Sequence, residues 1–292
     1  MMHLQMIGLA AAMAIGIRLL VRLAPDKADW NTRWRIALTA FIAPPLLLLA
    51  TAIAIMAMGT SGLPLWAGWL SFAIATGFAI AAAFWWLQIV WLAVETQRQI
   101  KQHPEQSICC EMQGNRIKGR VVETSAIFSA QVGLWKSELV VSRGLLEHLD
   151  AAHLEAVLAH ESGHAHYRDT FWFFWLGGLK RLTGWLPQTE ALWQELLLLR
   201  EVRADEWATR WVDSLVLAES LMSVITAPLT NAEAICASFS CAAPRSRLAQ
   251  RVDALLEESP TATVRSSSWA STVQWLAIAL SLSPLATIPF HY

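Results

Sequence analysis

The chain has 292 residues, a net charge of −1, and is 55% hydrophobic with only 15% charged residues. Its mean hydropathy of +0.41 is too high for an ordinary water-soluble domain and points to membrane-spanning segments. The balanced charge supplies no field for nucleic acid, which is not expected as a partner. The four cysteines (Cys109, Cys110, Cys236 and Cys241) lack zinc-ribbon spacing and read as reduced thiols.

Spanning about 30 Å of hydrocarbon takes roughly 20 helical residues, and four stretches meet that length. The first is Leu4–Leu23, with Arg18 and Arg22 one turn apart and expected to snorkel to the headgroups. A cleaved signal peptide would put positive charge before its apolar core, but residues 1–17 contain no Lys or Arg. The second stretch is Ile36–Met58, interrupted by Pro44-Pro45, a kink tolerable if neighbouring helices satisfy the freed carbonyls. The third is Trp66–Val94 and the fourth Trp269–Phe290, giving about four transmembrane helices in a mainly α, integral membrane protein. Arg18, Arg22, Lys27, Arg33 and Arg35 cluster between the first two spans, and Arg98 and Lys101 follow the third. The positive-inside rule then places residues 24–35 and about 97–266 in the cytoplasm, with both termini outside. Tryptophans such as Trp30, Trp34, Trp66, Trp69 and Trp269 fall at the expected interfaces and read as anchors in the lipid bilayer.

Three segments follow from this pattern. Residues 1–96 are expected to form an N-terminal membrane region, 97–266 a cytoplasmic domain, and 267–292 a C-terminal transmembrane helix. Within the second, residues 116–146 (RIKGRVVETSAIFSAQVGLWKSELVVSRGLL) alternate apolar and polar positions and predict two or three strands of a small sheet. Gly114, Gly119 and Gly133 are the turn candidates. A helix starts at Asp150 as N-cap, another runs from Thr189 to Ala208 and onward with a break toward Ser223, and a third covers Ser246–Glu258. Between the first two lies TFWFFWLGGL, residues 170–179, too short to span alone and read as interfacial or membrane-packed. Residues 259–268 read as a linker.

The chemistry concentrates in LAHESGHAHYRDT, residues 158–170. His160-Glu161-Ser162-Gly163-His164 is an H-E-x-x-H pattern, which on a helix puts both imidazoles on one face toward one ion. Glu161 then projects where it can take a proton from a metal-bound water without ligating. A catalytic zinc site needs a third protein ligand. In LLLLREVRADEWATRW, Glu201 and Asp205 share a helical face four residues apart, with Glu201 as that ligand and Asp205 as acceptor of an imidazole N–H. Asp169 is another carboxylate placed to support a ligand. Glu190 and Glu195 are rivals to Glu201 without the same-face acidic partner. His148, His153 and His166 read as surface residues, and Tyr167 and Arg168 as candidate stabilisers of an oxyanion.

LEAVLAHESGHAHYRD (154–169), preceded by LWKSELVVSRGLL (134–146) and followed by REVRADEWA (200–208), resembles the membrane-embedded gluzincin metallopeptidases. Two branches share these motifs: the BlaR/MecR-like peptidases, peptidase family M56, and the HtpX-like and type I CAAX prenyl-protease group. The layout of three spans, a protease segment and a fourth span favours the BlaR/MecR-like branch. The resemblance implies Zn2+ on His160, His164 and Glu201, Glu161 as general base, and hydrolysis of a protein or peptide substrate such as a repressor or membrane protein at a bacterial plasma membrane. The β-lactam sensors of that branch carry a large domain after the fourth span. Only a few residues follow it here, so β-lactam recognition of that kind is not expected. The alternative is a metal-binding membrane scaffold without proteolysis, a role for which an intact Glu161 would be superfluous.

Overall fold

The computed structural model describes residues 2–20, 29–60, 65–112, 115–226, 247–256 and 268–290. Arg22, Lys27, Gly114, Cys236, Cys241 and most of the expected linker lie outside them. The chain divides into two units: Met1–Gln88 with Leu176–Leu196 and Ala262–Tyr292, and Ile89–Trp175 with Leu197–Thr261.

The first unit is built on apolar helices. Helix α1 is Met2–Leu20, α2 is Trp30–Met58 and α3, shared with the second unit, is Leu65–Lys101. Among the described residues these three are long and apolar enough to cross a membrane. Helix α2 starts before the expected Ile36 because Asp29 caps it, its carboxylate accepting from the Thr32 N–H at 3.2 Å. Helix α3 runs past Val94 because ETQRQIK, though charged, is made of good helix formers.

Arg18 corrects one expectation. It does not snorkel; it is fully buried, and its Nη2 donates to the Phe41 carbonyl at 3.3 Å. Proline has no N–H, so Pro45 leaves the carbonyl four residues earlier without its helical donor. That carbonyl belongs to Phe41. Arg18 supplies the missing hydrogen bond and also lies over the Phe41 ring, 5.0 Å from its centroid.

The stretch expected as a fourth span folds in two pieces. Residues Ser268–Ser281 form a helix, followed by a 3-10 segment over Ser283–Phe290. Pro284 lacks the N–H that would bond the Leu280 carbonyl, which ends the α-helical ladder. Leu285 and Ile288 then pack on a cluster formed by Ala52, Ala54, Ile55 and Met58 of α2 and Ala75 of α3.

The aromatic stretch at 170–179 lies within helix α6, Asp169–Leu182, once α4 (Arg143–His148) and α5 (Ala151–His166) are counted. Its second half packs on α3: a Cβ at Gly178 would stand 2.6 Å from the Trp86 ring, so only glycine allows the approach. Helix α7, Thr189–Ala208, begins in the same unit. There Arg33 Nε donates to Glu195 at 2.8 Å, and Lys180 pairs with Glu190 at 2.9 Å.

The second unit contains a four-stranded sheet: β1 Glu105–Met112, β2 Asn115–Val122, β3 Ser129–Val132 and β4 Glu138–Ser142, in the order β1-β2-β4-β3. β2 and β4 pair parallel and the other neighbours antiparallel. Strand β1 was not anticipated, and its register shifts between Ile108 and Glu111, which breaks the period-2 pattern. Gly133 does turn the chain, at φ +127°, whereas Gly119 sits inside β2, where a Cβ would lie 2.9 Å from Ile108. One sheet face packs Val121, Leu139 and Val141 on Val157 and Leu158 of α5; the other buries Ala130, Val132 and Val140 with Ile100 of α3. Helices α8 (Ser214–Thr226) and α9 (Leu248–Leu256) close the far side of α5 through Leu217, Leu221, Leu248 and Leu255.

Candidate metal centre

Helix α5 begins as expected, with the Asp150 carboxylate accepting from the His153 N–H at 2.9 Å. It ends at Tyr167, and Arg168 takes a left-handed φ of 55° that lets the chain turn into α6. On α5 the two histidines stand one turn apart. Helix α7 meets α5 at Gly163, where an added Cβ would lie 3.1 Å from both the Cα and the carbonyl oxygen of Ala204. Two small residues therefore let the helices approach closely enough for Glu201 to reach the imidazoles.

The three side chains converge. His160 Nε2 lies 3.1 Å from His164 Nε2 and 3.4 Å from a Glu201 oxygen, and His164 Nε2 lies 3.7 Å from the other oxygen. Together they form a buried group able to hold a metal ion. Nitrogen and oxygen ligands about 2.0–2.1 Å from a tetrahedral zinc stand about 3.3–3.4 Å from one another, so the separations fit that ion. The far side of each ring is already committed. His164 Nδ1 lies 2.8 Å from Asp169 Oδ2, and His160 Nδ1 lies 2.7 Å from Asp205 Oδ1, though poorly aligned for a hydrogen bond. With the Nδ1 protons facing those carboxylates, the two Nε2 lone pairs and Glu201 point at one another. Three acceptors facing inward need a shared cation or proton between them. Without a metal the proton serves: burial alone would lower the His160 pKa, but Asp205 and the hydrogen bond to Glu201 hold it up at about 9.

Residues 95–267, more than half of the chain, match the family model for peptidase family M48. The chain belongs to peptidase family M48. Neither a curated protein nor a solved structure matches it. Of the two branches sharing the sequence motifs, the match supports the HtpX-like and CAAX prenyl-protease group and not the BlaR/MecR-like peptidases. Peptidases of family M48 are metal-dependent, typically on zinc, in agreement with the donor set found here.

In this M48 protein the rival ligands are engaged within the first unit, Glu195 by Arg33 and Glu190 by Lys180. His148 and His166 are exposed, and His166 stacks on Trp207 with ring centroids 3.8 Å apart. Tyr167 and Arg168 are engaged as ring partners. Arg203 lies over the Tyr167 ring at 4.2 Å, and Arg168 over Phe171 at 5.3 Å.

Sequence reasoning missed three buried or nearly buried arginines. Arg200 donates from Nε to Glu201 Oε1 at 3.0 Å and from Nη2 at 2.5 Å. Arg203 pairs with Asp169. Arg251, from α9, holds Asp205 in a bidentate grip (2.8 and 2.7 Å) and reaches Glu201 at 3.2 Å. Burial would raise the Glu201 pKa, but Arg200, His164 and Arg251 drive it well below the carboxylate range. Asp205 is lowered too, Arg251 and His160 outweighing burial. Arg200 and Arg203 flank Glu201 in sequence and were open to notice. Arg251 lies 46 residues beyond Asp205 and no spacing announces it.

Arg251→Ala is expected to weaken zinc affinity about 10- to 100-fold, the usual effect of losing a group that orients a ligand. Competition with a chromophoric chelator reads this directly; wild-type affinity would mean that Asp205 holds its place without the arginine.

Proposed function

We propose that this M48 metallopeptidase is a membrane-bound zinc endopeptidase whose catalytic unit faces the cytoplasm of a bacterial plasma membrane and cuts protein substrates there. The reading rests on one observation above all: three inward-facing acceptors, His160, His164 and Glu201, converge in a buried group, and Glu161, next to His160 on α5, is a buried carboxylate with one oxygen that has no hydrogen-bond partner among the described residues. A zinc ion held by the three would polarise a peptide carbonyl and bring the pKa of water toward 7. Glu161 is the general base: it takes up the proton released in the attack and returns it to the leaving nitrogen. Asp169 and Asp205 hold the two rings in the tautomer that leaves Nε2 free, and Arg203 and Arg251 hold the two carboxylates.

Strand β3 is a sheet edge that pairs, among the described residues, with β4 alone, and its Ser129 reaches Glu161. Its outward N–H and C=O groups can align an extended peptide by strand addition, a mode indifferent to most side chains. The apolar helices keep the unit at the membrane, so repressors tethered there or membrane proteins are the substrates in reach, in regulated cleavage or quality control.

Metal removal tests the reading. Purified full-length protein in detergent is expected to cleave fluorescein-labelled casein, to stop on treatment with 1,10-phenanthroline, and to recover on addition of stoichiometric zinc. Undiminished cleavage by metal-free protein would refute it.

A further inference from the structure

Glu161 has two carboxylate oxygens in different surroundings. Oε1 accepts a hydrogen bond from the Ser129 hydroxyl at 2.8 Å, whereas Oε2 is buried and has no hydrogen-bond partner among the described residues. Ser129 opens the edge strand β3, and it pairs with Val141 of β4. Strand alternation puts Ala130 and Val132 in the apolar cluster on one sheet face, which leaves Ser129 on the opposite face, the one that packs against α5. On that face Ser129 stands opposite Val141, half-buried, and its hydroxyl has a specific partner. The partner is the proposed base.

We infer that Ser129 is a positioning residue for Glu161. Its O–H fixes Oε1, which stops the carboxylate from rotating and leaves Oε2 as the oxygen that accepts the proton. A carboxylate free to turn about its last torsion, a broad two-fold one, would spend part of its time misaligned. The strand that would align the substrate is thereby also the strand that aims the base, so both reacting partners are referred to one element. The inference rests on the general-base reading of Glu161.

The test uses full-length protein and fluorescein-labelled casein. Ser129→Ala is expected to lower kcat about tenfold or more, in line with the loss of a hydrogen bond to a charged group. KM should stay within about twofold, and zinc content should remain near one per chain. Ser129→Thr, which keeps the hydroxyl and suits a strand, should restore most of the rate. In a double-mutant cycle, Ser129→Ala should cost nothing further once Glu161 is Gln. Wild-type kcat in Ser129→Ala overturns the inference. So does a loss that appears in KM, or one that Ser129→Thr fails to rescue, since either would make Ser129 a strand residue and nothing more. Failure of the general-base reading shows separately, as Glu161→Gln protein that still cleaves casein.

Discussion

Glu161→Gln is expected to keep about one zinc per chain while its kcat for casein falls by at least about a hundredfold and as much as ten-thousandfold, the span of general acid–base catalysis. The substitution preserves shape and leaves the three metal donors untouched, because Glu161 is not among them. An amide oxygen can still accept from Ser129, so the fold around β3 and α5 should persist, and the thermal midpoint should not move by more than a few degrees. What the amide cannot do is take up a proton at neutral pH. Zinc analysis by atomic absorption together with turnover separates the two roles. A variant with intact metal and wild-type turnover would remove Glu161 from the mechanism, and the proposed hydrolysis would need another base.

Glu201→Ala should have the other large effect, and its signature is different. Zinc occupancy should collapse together with activity, because two imidazoles alone leave the ion with too few protein donors. The variant should also lose stability. Arg200 and Arg251 are both buried against this carboxylate, and breaking a buried pair strands the remaining charge at a cost of about 3–5 kcal/mol. Glu201→Gln separates the effects: it keeps a hydrogen-bonding oxygen for the arginines while weakening the metal donor. The expected order of zinc affinity is wild type, then Gln, then Ala. Full occupancy in Glu201→Ala would move the third ligand elsewhere.

The candidate group His160, His164 and Glu201 was legible because its elements carry strong local signals. His160 and His164 lie on one helix at the spacing of one turn, and Glu201 and Asp205 repeat that spacing on α7, which runs over the expected Thr189–Ala208. What joins the two helices is less visible. The close contact of Gly163 with Ala204 depends on which faces meet, and Arg251 comes from an element with no periodic link to the site. The membrane segments show the same division. Length and hydropathy mark α1, α2 and α3, but they cannot tell an arginine bound for the headgroups from one that completes a kinked neighbour, as Arg18 does. Nor does hydropathy register that Pro284 and Pro289 break an apolar run into a short helix and a 3-10 segment. Strand β1 was hidden by its own irregular register, and the family branch by motifs that two groups hold in common.

Gly163 and Ala204 offer no donor atom, yet they set how closely α5 and α7 approach. An extra methyl group at position 163 would start 3.1 Å from α7, so that helix would have to retreat by a few tenths of an ångström. Metal–donor lengths tolerate only about 0.2 Å. Two of the smallest side chains on these helices thus gauge the space in which His160, His164 and Glu201 meet.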